Sequence, residues 1–145
     1  MKNNKIIILL CLLALSCNEK TKSSIDITGN WYIFSNSKND NKFYAETYIS
    51  DERMYFFNEH SGLSHEFKYK IETDSLFLIS TDDSEKANNG YIKIIDENTF
   101  SKMNDGRFLI FKRVKEGITL EDYLLNRNDN YILDFNKRMR NWYKK

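Results

Sequence analysis

The chain has 145 residues, a formal net charge of +1 at neutral pH, two cysteines and no proline. This length suits one domain with a hydrophobic core and is too short for two. The near-neutral charge argues against a general nucleic-acid-binding protein, which needs a basic surface. Because Cys11 and Cys17 both fall in the first seventeen residues, the remainder has no thiol for a disulfide, a thiolate metal site or a nucleophile.

These first seventeen residues predict an export signal. The basic residues Lys2 and Lys5 precede an apolar run over 6–15, and Ser16 and Cys17 follow it. This order of charge, apolar stretch and small residue is typical of a secretion signal. The apolar run has ten residues, which is fewer than a membrane-spanning helix needs, roughly 20. We therefore expect a processed segment and not a membrane helix.

Leu13-Ala14-Leu15-Ser16-Cys17 resembles the lipobox of bacterial lipoproteins, whose cysteine is acylated and becomes the new N-terminus. The alternative is an ordinary signal peptide with a chance cysteine at its end. The resemblance implies the division 1–16 signal peptide, 17–26 lipidated Cys17 with a flexible tether, and 27–145 folded domain. It also implies a place in the bacterial cell envelope, with the lipid in the outer or inner membrane and the domain outside the cytoplasm. Loss of Lys2 and Lys5 with the signal lowers the formal charge from +1 to −1.

The middle of the chain predicts a β-barrel. Aromatic and β-branched residues come in short runs separated by polar clusters, which is typical of antiparallel strands. The eight predicted strands are 29–35, 42–50, 53–60, 63–72, 75–80, 90–95, 99–103 and 107–114. Because closure removes exposed strand edges, we predict an all-β fold, an eight-stranded antiparallel up-and-down barrel.

The hairpin of the third and fourth predicted strands has a testable register. If Gly62-Leu63 is the centre of a two-residue turn, His60 faces His65 and Phe56 faces Tyr69. The face that we expect to point inward then carries Met54, Phe56, Asn58, Phe67, Tyr69 and Ile71. The outward face carries Arg53, Tyr55, Phe57, Lys68, Lys70 and Glu72. A slip by one residue would mix the two faces, so the pattern supports this register.

After the strands the pattern predicts a helix. Thr119 with Asp122 three residues later is a capping-box pattern. The apolar positions that follow at helical spacing are Ile132, Phe135, Met139 and Trp142. We expect an amphipathic C-terminal helix packed on the outside of the barrel, with Tyr55 and Phe57 supplying part of the contact.

Both ends of the strand region resemble a known family. Ile27-Thr28-Gly29-Asn30-Trp31-Tyr32 is similar to the Gly-x-Trp signature of lipocalins and of shorter bacterial lipocalin-like domains. Phe111-Lys112-Arg113-Val114 resembles the late arginine of that family. The resemblance implies that Arg113 lies across Trp31 in a cation–π contact and seals the closed end of the barrel.

Strand alternation from Trp31 predicts an open mouth at the other rim, where ligands of small barrels enter. The connections expected there are 36–41, 61–64, 81–89 and 104–106. The candidate ligand-binding residues, inside the barrel and near this mouth, are Phe56, Asn58, His60, His65, Phe67 and Tyr69. The facing histidines would lie about 5 Å apart, close enough to share a metal or an anion. Because no third protein ligand accompanies them, we predict no metal site, and two hydrated rim histidines are the alternative.

Charged groups elsewhere have simpler interpretations. The spacing of Asp82, Asp83 and Glu85 fits no calcium-binding loop, so a solvated loop is expected. The basic residues of the C-terminal end are Lys137, Arg138, Arg140, Lys144 and Lys145. They would either contact anionic lipid headgroups or complement the helix dipole.

The sequence carries no nucleophile elbow, phosphate loop or metal-spaced histidine pair on a helix. We therefore predict no catalytic residue, no cofactor and no enzymatic activity. Two functions remain. The first is binding of a small apolar or amphipathic ligand inside the barrel. The second is a protein–protein interaction in envelope assembly, inhibition or toxin immunity, with a filled barrel and an exposed outer patch around Tyr44, Tyr48, Tyr55 and Phe57.

Overall fold

The computed structural model describes residues 25–35, 43–79, 86–104 and 106–144. The strands of these ranges are β1 (Gly29–Ser35), β2 (Tyr44–Ile49), β3 (Arg53–Asn58), β4 (Gly62–Leu63), β5 (Phe67–Glu72), β6 (Ser75–Ile79), β7 (Lys86–Asp96), β8 (Thr99–Asn104) and β9 (Arg107–Arg113). The helices are α1 (Leu120–Asn126) and α2 (Asn130–Tyr143). The predicted signal peptide, Cys17 and the tether up to residue 24 lie outside the described residues.

The sheet is a closed antiparallel barrel. β1 pairs with both β2 and β9, so it joins the first strand of the barrel to the last. Pairing of β2 with β3 completes the ring in up-and-down order. β4 is a two-residue extra strand at the mouth end of β3. The prediction of an eight-stranded up-and-down barrel is therefore confirmed.

The register predicted for the β3 hairpin is wrong. Asn58 pairs with Gly62, so the turn occupies residues 59–61 and is not centred on Gly62-Leu63. The Asn58 side-chain Oδ1 accepts hydrogen bonds from the backbone N–H groups of His60 and Ser61, at 3.0 and 2.9 Å. An asparagine that bonds the backbone two or three residues ahead favours its own turn. This turn replaces the one that the glycine predicted.

The new turn, together with the irregular segment over 64–66, moves β5 along β3 by four residues. Met54 pairs with Phe67, whereas the predicted register placed it opposite Ile71. Because four is an even number, the same side chains still face inward, and the inward positions of Met54, Phe56, Tyr69 and Ile71 are confirmed. Two residue pairs connect β3 to β5, so this is a short seam in the barrel.

Large apolar side chains fill the end of the barrel that contains Trp31. The rings of Trp31 and Phe100 meet edge to face at 4.8 Å, and Phe100 stacks on Phe111 at 4.3 Å. The members of this set, which we call the closed-end layer, are at most 4% exposed: Trp31, Ile49, Met54, Leu76, Ile92, Phe100 and Phe111. Removal of this much apolar surface from water supplies a large part of the stability of the fold.

Two C-terminal helices, and not one, pack on the outside of β1–β3. The predicted capping box is present at Thr119 and Asp122, and it begins α1. The left-handed backbone of Arg127 (φ 49°) ends α1 and separates it from α2. Phe57 contacts α2 as expected, with its ring 4.8 Å from that of Phe135. Within the described part of the chain, neither helix is long and apolar enough to cross a membrane.

A buried ion pair fastens α2 to the barrel. Glu46, on the outer face of β2, is 1% exposed. Its carboxylate accepts hydrogen bonds from Arg138 Nε and Nη2, at 2.8 and 2.9 Å. The phenols of Tyr44 and Tyr131 donate to the same carboxylate, and burial followed by the nearby negative charge raises the pKa of both. Arg138 therefore serves the helix–barrel interface and not a lipid surface.

Replacing one partner of this pair will destabilise the fold strongly. Arg138→Met leaves the Glu46 carboxylate buried without its counter-charge, which typically costs about 3–5 kcal/mol. Urea denaturation of the variant measures this loss. The matched control is Arg140→Met on the same helix, since Arg140 bonds only a backbone carbonyl of its own helix among the described residues. Equal effects of the two substitutions would contradict the role given to Glu46.

Candidate functional site

Residues at the start of β1 seal one end of the barrel. The guanidinium carbon of Arg113 lies 4.1 Å from the centre of the Trp31 ring, which is the geometry of a cation–π contact. Arg113 Nη1 also donates to the carbonyl of Thr28 at 3.1 Å, and Trp31 Nε1 donates to that of Ile27 at 2.9 Å. A ligand would therefore enter from the opposite rim.

Gly29 makes this seal possible. Its φ of +115° is in the region that favours glycine, and a Cβ at this position would overlap Arg113 Nη1. The Gly-x-Trp triplet thus has a physical basis. Glycine leaves the space that the arginine needs in order to reach the tryptophan.

Gly29→Ala is expected to destabilise the protein by roughly 1–3 kcal/mol or more, through backbone strain and overlap with Arg113. Gly106→Ala is the control, because Gly106 also has a positive φ (+75°) but no atom within 4 Å of the added Cβ. Chemical denaturation measures both. The excess cost at position 29 should be smaller in an Arg113→Ala background, where the strain of a φ of +115° remains but the overlap is removed. An undiminished excess there would show that the overlap with Arg113 does not contribute to it.

A second set of inward side chains lies next to the closed-end layer, on the side that faces the mouth. We call it the mouth-half layer, and its members are Ile33, Thr47, Phe56, Phe67, Leu78, Asn89, Lys102 and Leu109. Ile33 and Thr47 are buried, whereas Phe56, Phe67, Leu78 and Leu109 are only half-buried although they face the interior. Part of the surface of these four inward side chains is therefore exposed to solvent.

A bulge in β7 brings one polar member into this layer. Opposite Leu76, β7 has two residues, Asn89 and Gly90, in place of one. Gly90 has φ +108°, and its N–H donates to Asn88 Oδ1 at 2.7 Å. The extra residue restores Asn89 to the inner face. The sequence placed residues 86–89 in a loop, and this was wrong because the bulge interrupts the alternation of a strand that begins at Lys86.

Two further polar groups of the mouth-half layer were missed by the sequence analysis. Lys102 lies between the inward residues Ile92 and Leu109 on the neighbouring strands, and its amine donates to Asn89 Oδ1. Burial lowers the pKa of this amine. Thr47 is fully buried, and its hydroxyl has no hydrogen-bond partner within the described ranges. Because side chains two residues apart on a strand share a face, the inward position of Phe100 would have identified Lys102 as inward too.

The structure brings together only part of the predicted ligand site. Phe56 and Phe67 are in contact, with ring centroids 5.8 Å apart. Tyr69 lies toward the closed end, where its phenol donates to the carbonyl of Ser50 at 2.8 Å, and burial raises its pKa to about 12. Asn58 forms the turn described above.

The expected histidine pair is not formed. His60 lies in the turn over 59–61, and His65 lies in the segment over 64–66, which has no strand structure. Both imidazoles are exposed. The four-residue displacement of β5 explains the separation, because the facing positions existed only in the predicted register. Among the described residues, no group of three or more His, Cys, Asp or Glu side chains is arranged to hold a metal ion.

Described residues on the outside of the barrel line two open clefts. The larger, of about 770 Å³, is formed by residues 96–99 and 112–116 together with Tyr32 and Arg138. The smaller, of about 180 Å³, lies between β1, β2 and the end of α2. Neither contains a residue of the predicted ligand site, and the larger has charges of both signs.

No protein-family model, curated protein or solved structure matches this chain. The molecule itself shows an eight-stranded antiparallel barrel with C-terminal helices.

Proposed function

We propose that this protein is a lipocalin-like lipoprotein of the bacterial cell envelope that holds a small apolar or amphipathic molecule in the mouth half of its barrel. The observation that supports the proposal is the contrast between the two interior layers. Side chains of the closed-end layer are at most 4% exposed, whereas four inward apolar side chains of the mouth-half layer remain half-buried, namely Phe56, Phe67, Leu78 and Leu109. An apolar surface that faces inward and still meets solvent is a typical ligand-binding wall.

Affinity would come from burial of the ligand against Phe56, Phe67, Leu78 and Leu109, with a gain of about 25 cal/mol for each Å² of apolar surface removed from water. The lipocalin-like assignment is supported by the arrangement of Gly29, Trp31 and Arg113 at the closed end. The proposal assigns no catalytic residue and no cofactor to the barrel. The proposed activity of the protein is ligand binding without catalysis.

Filling the mouth half should abolish ligand binding. Leu78→Trp places an indole on the inner wall, while the control Phe77→Trp places it on the outer face of the same strand. Native mass spectrometry of the full chain, followed by solvent extraction, should reveal an extractable mass in the wild type and in Phe77→Trp. That mass should be absent from Leu78→Trp, whose circular dichroism melting curve reports whether it is folded.

Two results would contradict the proposal. One is a wild-type chain with no extractable mass under native conditions. The other is an equal extractable mass in the folded Leu78→Trp and Phe77→Trp variants, since a ligand bound elsewhere would not respond to the inner wall.

The membrane anchor is proposed from the sequence around Cys17, which lies outside the described residues. Cys17→Ser should abolish incorporation of labelled palmitate and move the protein from the membrane fraction to the soluble fraction. Cys11→Ser, within the apolar run, is the matched control and should retain both properties. Palmitate incorporation that survives Cys17→Ser would contradict lipidation at this residue.

A protein–protein interaction remains the second candidate function, on a different surface from the one that the sequence suggested. Of the suggested patch, Tyr44 and Phe57 are 4% and 8% exposed, because α1 and α2 cover them. A different apolar row is exposed on the outer wall. Tyr91, Met103 and Phe108 are paired across β7, β8 and β9 and are 54%, 50% and 37% exposed. A wild-type chain without extractable ligand would favour this candidate.

A further inference from the structure

The mouth-half layer contains a cation inside an otherwise apolar wall. Lys102 follows the buried Phe100 by two residues on β8, so its side chain points to the same inner face. Its strand neighbours on that face are Ile92, which is 4% exposed, and the half-buried Leu109. The ammonium group therefore belongs to the interior and not to the outer surface, where lysines are usually found.

The charge of Lys102 has no counter-charge among the residues that the structure describes. Its amine contacts the neutral amide oxygen of Asn89. An ammonium group has three N–H donors, and two of them have no acceptor within the described ranges. Burial lowers the pKa of the amine, and no carboxylate of a described residue contributes to the shift. A ligand with a negative charge would compensate the ammonium group for the hydration that it loses on burial.

A second polar atom in the same layer also lacks a partner in the described ranges. The Thr47 hydroxyl is fully buried on the inner face of β2. A buried hydroxyl without a hydrogen bond typically costs about 1–3 kcal/mol, so native proteins rarely retain one without a ligand or an ordered water. Among the described residues, the mouth-half layer thus contains the Lys102 ammonium, the Asn89 amide and the buried Thr47 hydroxyl beside its apolar side chains.

We propose that the ligand is an anionic amphipath, whose acidic headgroup binds the Lys102 ammonium while its apolar chain lies against Phe56, Phe67, Leu78 and Leu109. This inference rests on the proposed function, because it names the chemical class of the molecule in the barrel. The charged hydrogen bond would orient the ligand, and the apolar wall would supply most of the affinity.

Isothermal titration calorimetry of the full chain with dodecanoate and with methyl dodecanoate tests the inference. The two probes share a hydrocarbon chain and differ in charge. The wild type should bind the acid about tenfold or more tightly than the ester, the effect of one charged hydrogen bond. Dodecyl phosphate serves as a third probe, which distinguishes a phosphate headgroup from a carboxylate.

Lys102→Met should remove the preference for the acid, because it weakens binding of dodecanoate far more than binding of methyl dodecanoate, which carries no charge. Lys102→Arg should retain the preference. Lys93→Met is the matched control, since Lys93 lies on β7 and is exposed. Thermal melting of each variant verifies that it is folded before the titration.

Three outcomes are distinguishable. Equal binding of acid and ester by the wild type overturns the anionic headgroup and leaves the proposed function intact. No binding of any probe, together with a native mass without extractable ligand, overturns the proposed function and this inference with it. Tighter binding of dodecyl phosphate than of dodecanoate, also lost in Lys102→Met, supports the anionic headgroup and identifies it as a phosphate.

Discussion

Closure of the sheet around β1 is the constraint on which the rest of this structure depends. β1 forms backbone hydrogen bonds with β2 on one side and with β9 on the other, so no edge of this strand is exposed. Closure gives every strand an inner and an outer face. It also brings Arg113, at the end of β9, against Trp31 near the start of β1. The sealed end, the mouth and the surface that receives the helices all follow from this pairing.

The two halves of the interior differ in what they contribute. Near Trp31, stacked aromatic and aliphatic side chains exclude water and stabilise the fold. The buried pair of Glu46 and Arg138 adds a second fixed region outside the barrel, where α2 contacts β2. With these two regions well packed, the mouth half tolerates groups that a core would exclude, namely the Lys102 amine and the Thr47 hydroxyl. Polar groups weaken a core, whereas in the proposed binding wall they would orient a ligand.

The β3 hairpin shows how far an alternating pattern can be interpreted. Met54, Phe56, Tyr69 and Ile71 face inward in the predicted register and in the observed one, although β5 differs by four residues between them. Alternation specifies which face a side chain occupies, but any even displacement satisfies it equally well. The turn decides between these registers, and here the Asn58 side chain selects residues 59–61. The histidine pair is absent because His60 lies in this turn and His65 lies in the irregular segment that follows it.

The sequence by itself determined the local features of this protein: the strand pattern, the faces of most strands, the capping box at Thr119 and the likeness of Gly29 and Trp31 to a barrel signature. Each depends on residues close together in the chain. Only the tertiary structure decided which distant residues meet. Glu46 and Arg138 are 92 positions apart, and Lys102 on β8 reaches Asn89 on the neighbouring strand β7 because a bulge turns the asparagine inward. Such contacts depend on register, bulges and closure, which local alternation leaves undetermined.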